Sequence, residues 1–220
     1  GVRKNEYELA DESELKFSYP PIKLNHLQTM TDNTGMLQHA RYSIPDRSHG
    51  YCTDDNARAL LLSVMLQNDV QDLDELNRLT GIYLSFLDHA YNSGKGKFRN
   101  FMSYSRQWLD DTGTEDSNGR ALWALGYVAA NTNMSNFYYH TKELFKMGLK
   151  SVKDIYHPRA LAYTILGLTH YSKTDSNPEV VSLLKEKTGL LYSTFNKTID
   201  NEWLWHDEKV TYDNSRIPQA

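Results

Sequence analysis

Ser43 to Leu62, S-I-P-D-R-S-H-G-Y-C-T-D-D-N-A-R-A-L-L-L, is the stretch whose reading decides the fold. Its first half is crowded with ionisable and turn-forming side chains and reads as a polar loop, Ser43 to Asp54. Its second half opens a helix, expected over Asp55 to Leu66, because Ala59, Leu62 and Leu66 recur at three- and four-residue steps. Thr53 or Asp54 is the expected N-cap, since a side-chain oxygen there can accept from free backbone N–H groups. The junction recurs. Thr114-Glu115-Asp116-Ser117-Asn118-Gly119-Arg120-Ala121-Leu122 repeats its order closely, His157-Pro158-Arg159-Ala160-Leu161 keeps Arg-Ala-Leu, and Tyr212-Asp213-Asn214-Ser215-Arg216-Ile217 keeps Asp-Asn-x-Arg.

From arginine to arginine, the intervals 58 to 120, 120 to 159 and 159 to 216 span 62, 39 and 57 residues. Each holds an apolar helix followed by a longer amphipathic one. The expected partners are Asp72 to Tyr91, Met134 to Lys153 and Pro178 to Ile199, with Ser117 to Asn131 and Pro158 to Ser172 as further first members and a last helix starting at Tyr212. The pattern predicts an all-α fold, an array of αα-hairpins. In such an array the first helices can line an inner ring, as part of a larger ring or as an open solenoid, so that their N-termini, with the acidic loops before them, gather at one mouth. Small residues in the first helices (Ala121, Ala124, Gly126, Gly167) suit close backbone approach, which offsets the roughly 1 kcal/mol that a mid-helix glycine costs. Lys97 to Thr114 is a long connection of the kind that serves as a lid or binding surface, with room for a short hairpin. Residues 1–21 read as a mobile arm, leaving residues 22–220 as one hairpin domain.

With 220 residues, 40% of them apolar, the chain can bury one core. A net charge of −4 supplies no basic field, so nucleic acid is not an expected partner. No apolar run is long enough to span a membrane. The single cysteine, Cys52, suits a reducing compartment, and a cytoplasmic location is the default. The chain opens on Gly1 rather than Met, which suggests a processing boundary and leaves room for a removed signal peptide. His39, His49 and Cys52 match no standard zinc spacing, and no glycine-rich phosphate loop occurs, so neither a metal nor a cofactor is expected.

The chemistry-bearing candidates are the acids at the helix starts. Asp54 and Asp55, with Glu115 and Asp116 opposite, can act as the acid and base of glycosidic bond cleavage. Equally, they can be helix caps, since carboxylates are favoured at N-termini for electrostatic reasons alone. Arg47, His49 and Tyr51 would orient a sugar. Tyr104, Trp108, Trp203, Trp205, Tyr212 and Asp213 would complete its binding surface, or the indoles would be core residues under long loops. Arg58, Arg120, Arg159 and Arg216 read as salt bridges to the acids of neighbouring hairpins, with acidic sugars or phosphates as the other reading.

The blocks Gly50 to Leu60 (G-Y-C-T-D-D-N-A-R-A-L), Glu115 to Gly126 (E-D-S-N-G-R-A-L-W-A-L-G) and Tyr212 to Ala220 (Y-D-N-S-R-I-P-Q-A) resemble those of a bacterial family. It is the six-hairpin, glycosidase-like (α/α)-toroid domain found in or beside glycosyltransferases and mannoside-processing genes. The resemblance covers roughly Asn25 to Ala220 and implies a partial (α/α)6 toroid that stops near the fourth inner helix. It also implies an oligosaccharide or glycoside as ligand, hydrolysis as the activity, and a glycosyltransferase or the rest of a longer chain as partner. A non-catalytic glycan-binding or structural module is the alternative.

Overall fold

The computed structural model describes residues 20–199, 203, 205–207 and 209–220. Nearly all of the arm expected over 1–21 lies outside them, as do several residues around Trp203 and Trp205. The chain is mostly helical, with two small antiparallel sheets.

The quoted stretch departs from its reading. Ser43 to Asp54 is not a loop: Ile44–Cys52 is strand β2, hydrogen-bonded to strand β1 (Leu37–Arg41) on one side and to a two-residue strand, Phe101–Met102, on the other. Only the last residues of β2, Gly50 to Cys52, are buried, and its polar start is mostly exposed. An antiparallel strand with one wet side tolerates such polarity. The pairing that defines it comes from residues outside any local window. Within the connection that follows residue 90, Tyr91–Asn92 (β3) pairs with Lys97–Phe98 (β4), so the Phe101–Met102 strand is β5.

Helix α1 (Asn25–Met30) precedes the sheet, and β2 runs straight into helix α2 (Thr53–Met65). The cap of α2 is neither Thr53 nor Asp54 but Cys52, whose Sγ accepts from the Asp55 N–H at 3.4 Å. Its partner α3 (Leu73–Ala90) is capped by Asp72, which accepts from the Glu75 N–H at 3.0 Å. Helix α4 (Glu115–Asn131) is capped by Thr114, and it pairs with α5 (Ser135–Gly148), which tightens into a 3-10 segment, Leu149–Asp154. Pro158 opens α6 (Pro158–Ser172), where its missing N–H does no harm, and Pro178 does the same for α7 (Pro178–Thr198). A single turn, α8 (Arg216–Gln219), ends the chain.

Successive first helices pack on one another, α2 on α4, α4 on α6 and α6 on α8, while α3, α5 and α7 each cover the helix they follow. One continuous core joins Leu60, Leu79, Leu122, Phe145, Leu161 and Tyr171, with the Phe145 and Tyr171 rings stacked at 4.1 Å. The α4–α6 seam is a backbone contact: a Cβ on Gly126 would lie 2.2 Å from the Gly167 carbonyl oxygen, and one on Gly167 2.5 Å from that of Leu122.

The repeated asparagines hold the sheets to the helices. Asn56 Oδ1 accepts from the Met36 N–H at 2.8 Å, and its Nδ2 donates to the Cys52 carbonyl at 2.9 Å. Asn118 does the same one hairpin later, accepting from the Phe98 N–H at 2.9 Å and donating to the Thr114 carbonyl at 2.9 Å. Both are buried, and both clamp a backbone group 20 residues earlier in the chain. Replacing Asn118 by alanine strands the buried Phe98 N–H and should cost about 2 kcal/mol. A urea melt with a lowered midpoint and unchanged slope would record it.

Candidate functional site

The first turns of α2, α4, α6 and the residues before α8 meet in one charged network. Arg120 is its centre and is only 3% exposed. Its Nε lies 2.6 Å from Asp54 Oδ1 on α2, in contact but misaligned for a hydrogen bond. Its Nη2 lies 2.9 Å from Asp213 Oδ2 and donates to the Tyr163 hydroxyl at 2.6 Å, and Tyr163 in turn donates to Asp213 at 2.7 Å. Asp54 also accepts from Arg58, which lies 3.1 Å from Asp55. On the other side, Asp116 accepts from the Tyr212 hydroxyl, and Arg159 approaches Asp116 at 3.9 Å and donates to Thr211. Arg120 and Arg159 therefore pair across hairpins, whereas Arg58 serves acids of its own helix.

Asp213 holds a left-handed backbone (φ 55°), a conformation that a non-glycine residue keeps only when its surroundings over-determine it. Here three groups seize its carboxylate: Tyr163, Arg120 and, at 3.6 Å, Arg216. Burial pulls the Asp213 pKa upward, but the Tyr163 hydrogen bond and the Arg120 charge outweigh it and hold the carboxyl below its ordinary value.

Beside this network an open cleft of about 400 Å³ is walled by Asp54, Asp55 and Asp116, by Gln38 and His39 from β1, and by the rings of Phe101 and Tyr212. The helix starts thus bring together three of the four expected catalytic acids. Glu115 is turned away: its Oε2 accepts from the Tyr156 and His157 N–H groups at 2.7 and 2.8 Å and pins the approach to α6. That is a structural use of the carboxylate, and it removes Glu115 from the cleft.

The expected sugar-binding set divides. Tyr212 lines the cleft and is 57% exposed, and Asp213 belongs to the network behind it. Tyr51 is a core residue, 1% exposed, with its hydroxyl donating to Asp32 at 2.6 Å; burial, and then that bond, push its pKa up to about 12. It is not free to orient a ligand. His49 packs edge-on against His39 with ring centroids 4.4 Å apart and is not among the residues walling the cleft. Arg47 lies over the Tyr104 ring, which itself stacks on Tyr51. Trp108 packs on Phe86 and donates from its indole N–H to His89 at 3.3 Å. Trp203 donates to the Asp207 carbonyl, and Trp205 stands edge-on to His206. None of these three indoles is among the residues walling the cleft.

Sequence reasoning missed Gln38, His39 and Phe101 as cleft residues. The β1–β2 register shifts between Leu37 and His39, and such an irregularity re-aims side chains out of simple alternation. No signal in residues 36 to 42 alone announces it. Cys52 also borders the cleft, but desolvation and then the neighbouring Asp55 raise its thiol far above the ordinary range, so it stays a neutral thiol. Among the described residues, no group of three or more His, Cys, Asp or Glu side chains is placed to hold a metal ion, and no helix is long and apolar enough to cross a membrane.

Fold and site together define a mostly helical protein with a charged cleft at the shared start of α2 and α4. No protein-family model and no curated protein matches the chain.

Proposed function

We propose that the chain is a carbohydrate-active domain, that the row α2, α4, α6, α8 with its outer helices is an arc of an (α/α) toroid of six-hairpin glycosidase type, and that the cleft seats a glycoside. The observation that carries this reading is the cleft wall itself. Carboxylates from successive inner helices, Asp55 and Asp116, stand beside an amide, an imidazole and two partly exposed rings. Apolar ring faces with a few convergent polar groups are what a pyranose requires. In this reading Asp55 and Asp116 divide the work of glycosidic cleavage. One gives a proton to the leaving oxygen, and the other activates water or forms the glycosyl bond. Asp54, held by two guanidiniums, orients the network.

The same guanidiniums favour a second reading. Arg58 reaches both Asp54 and Asp55, so the two carboxylates are already engaged by a cation, an arrangement that suits holding a ligand in a fixed polar frame. The alternative is therefore a glycan-holding module that docks with or stabilises a glycosyltransferase.

Titration with a panel of mannosides and glucosides, with turnover followed in parallel, separates the two. For the enzyme, Asp55→Asn and Asp116→Asn should each lower turnover by at least about 100-fold, the usual scale of acid–base catalysis, with melting and sugar binding retained. Binding by the intact protein with no turnover of any glycoside selects the module. Failure to bind any member of the panel removes both.

A further inference from the structure

A second cavity, of about 330 Å³, lies along the inner helices, walled by Arg58, Arg120, Arg216, Asp213, Trp123 and Tyr212 among others. Arg58 and Tyr212 also stand in the wall of the mouth cleft, so the two spaces abut across this pair. Their charge is opposite. The mouth wall carries Asp54, Asp55 and Asp116 against Arg58 alone, whereas the inner wall carries three guanidiniums, two of which (Arg58 and Arg120) also face Asp54, with Asp213 as the carboxylate of the wall itself. That one carboxylate already accepts from Tyr163 and faces both Arg120 and Arg216.

Beside their polar partners, the guanidiniums of Arg120 and Arg216 rest on aromatic rings, and each keeps a donor unused. Arg120 lies over the Tyr163 ring at 4.1 Å and Arg216 over Trp123 at 4.7 Å. A π-face stabilises a cation but takes no N–H in the plane of the guanidinium. The Nε atoms of Arg120 and Arg216 are both buried and lack a hydrogen-bond acceptor in good geometry. Buried donors of this kind are costly unless an acceptor arrives.

We propose that the inner cavity is an anion subsite, which takes the acidic substituent (a phosphate ester or a carboxylate) of a sugar whose neutral ring occupies the mouth cleft. The proposal rests on the reading of the mouth as a glycoside cleft and narrows its substrate class to acidic sugars. Arg120 and Arg216 bind the anion, Arg58 and Tyr212 mark the passage between the subsites, and Asp213 holds the two guanidiniums in register.

Calorimetric titration of the whole chain with inorganic phosphate, a hexose 1-phosphate, a hexuronic acid and a methyl hexoside tests it. At least one acidic sugar should bind about ten-fold or more tightly than the methyl hexoside, and its affinity should fall as salt rises. The hexose 1-phosphate and hexuronic acid arms separate phosphate from carboxylate. In Arg216→Gln, checked for an unchanged melt, the preference for the acidic sugar should shrink toward one. A methyl hexoside that binds as tightly as both acidic sugars, or a preference that survives in Arg216→Gln, overturns the anion subsite and leaves the glycoside cleft standing. Phosphate binding with no sugar bound removes the glycoside reading instead, and no binding in any arm removes both.

Discussion

Gly126→Ala should destabilise the protein by about 3 kcal/mol or more, although alanine is the better helix former. The intrinsic gain is roughly 1 kcal/mol. Against it, the new methyl would lie 2.2 Å from the Gly167 carbonyl oxygen and under 3 Å from two further backbone atoms of that residue. Backbone cannot rotate away as a side chain does, so α4 and α6 must separate, and overpacking of this kind costs about 1–3 kcal/mol even where side chains yield. At roughly 2–4 °C per kcal/mol for a chain of this size, the melting temperature should fall by about 6–12 °C. Gly189, in the middle of α7, has nothing within 4 Å of its added Cβ. There the same substitution should stabilise by up to about 1 kcal/mol. Gly126→Ala combined with Gly167→Ala should cost less than the two alone added together, because both open one seam. Thermal melts of the four variants decide it. A Gly126→Ala protein that melts with the wild type would mean that the two helices do not meet through their backbones.

This contrast shows what was legible in the chain. Gly126 and Gly167 sit in apolar helices among alanines, a pattern that implies a crowded seam, whereas Gly189 follows the charged run Lys185-Glu186-Lys187. Helix existence followed from three- and four-residue periodicity, and the arginine spacing gave the order of the hairpins. The acids at the helix starts were visible for the same reason. What was hidden depends on pairing between distant residues. Strand β2 is polar for most of its length, and only β1 and β5 make it a strand. The asparagines of the repeat were visible as letters but not as clamps, because their partners, Met36 and Phe98, lie in other elements. Burial of Tyr51 was equally hidden. Gly50 and Cys52 beside it give no apolar alternation, and the atom that fixes it, Asp32 Oδ2, lies 19 residues earlier, between α1 and β1.

Arg120→Met should be among the most damaging single substitutions in the protein, at about 3–5 kcal/mol near neutral pH, the range for breaking a buried ion pair from one side. Methionine keeps most of the volume against Tyr163, so the loss is chiefly one of charge: Asp54 and Asp213 lose their shared cation. The pH dependence distinguishes this from lost packing. In the wild type, the Asp213 carboxyl has a lower pKa folded than unfolded. Its contribution is therefore complete above the unfolded value, about pH 4, and is lost as pH falls through the folded value. Without the guanidinium, the Tyr163 hydrogen bond and the Arg216 charge still act on this carboxyl, but the Arg120 contribution is gone, so its folded pKa rises relative to the wild type. Acid therefore costs the variant less than the wild type, and the stability gap between them should narrow as pH falls from 7 to about 3. Urea melts at both pH values measure the gap directly. Adding Asp213→Asn to Arg120→Met should restore part of the loss at pH 7, since a neutral amide tolerates the part-buried site better than a carboxylate that has lost its nearer cation. A gap that stays constant with pH, and a double variant no better than the single, would show that Arg120 works through its hydrocarbon stem, and the charged network would lose its claim to hold the inner helices together.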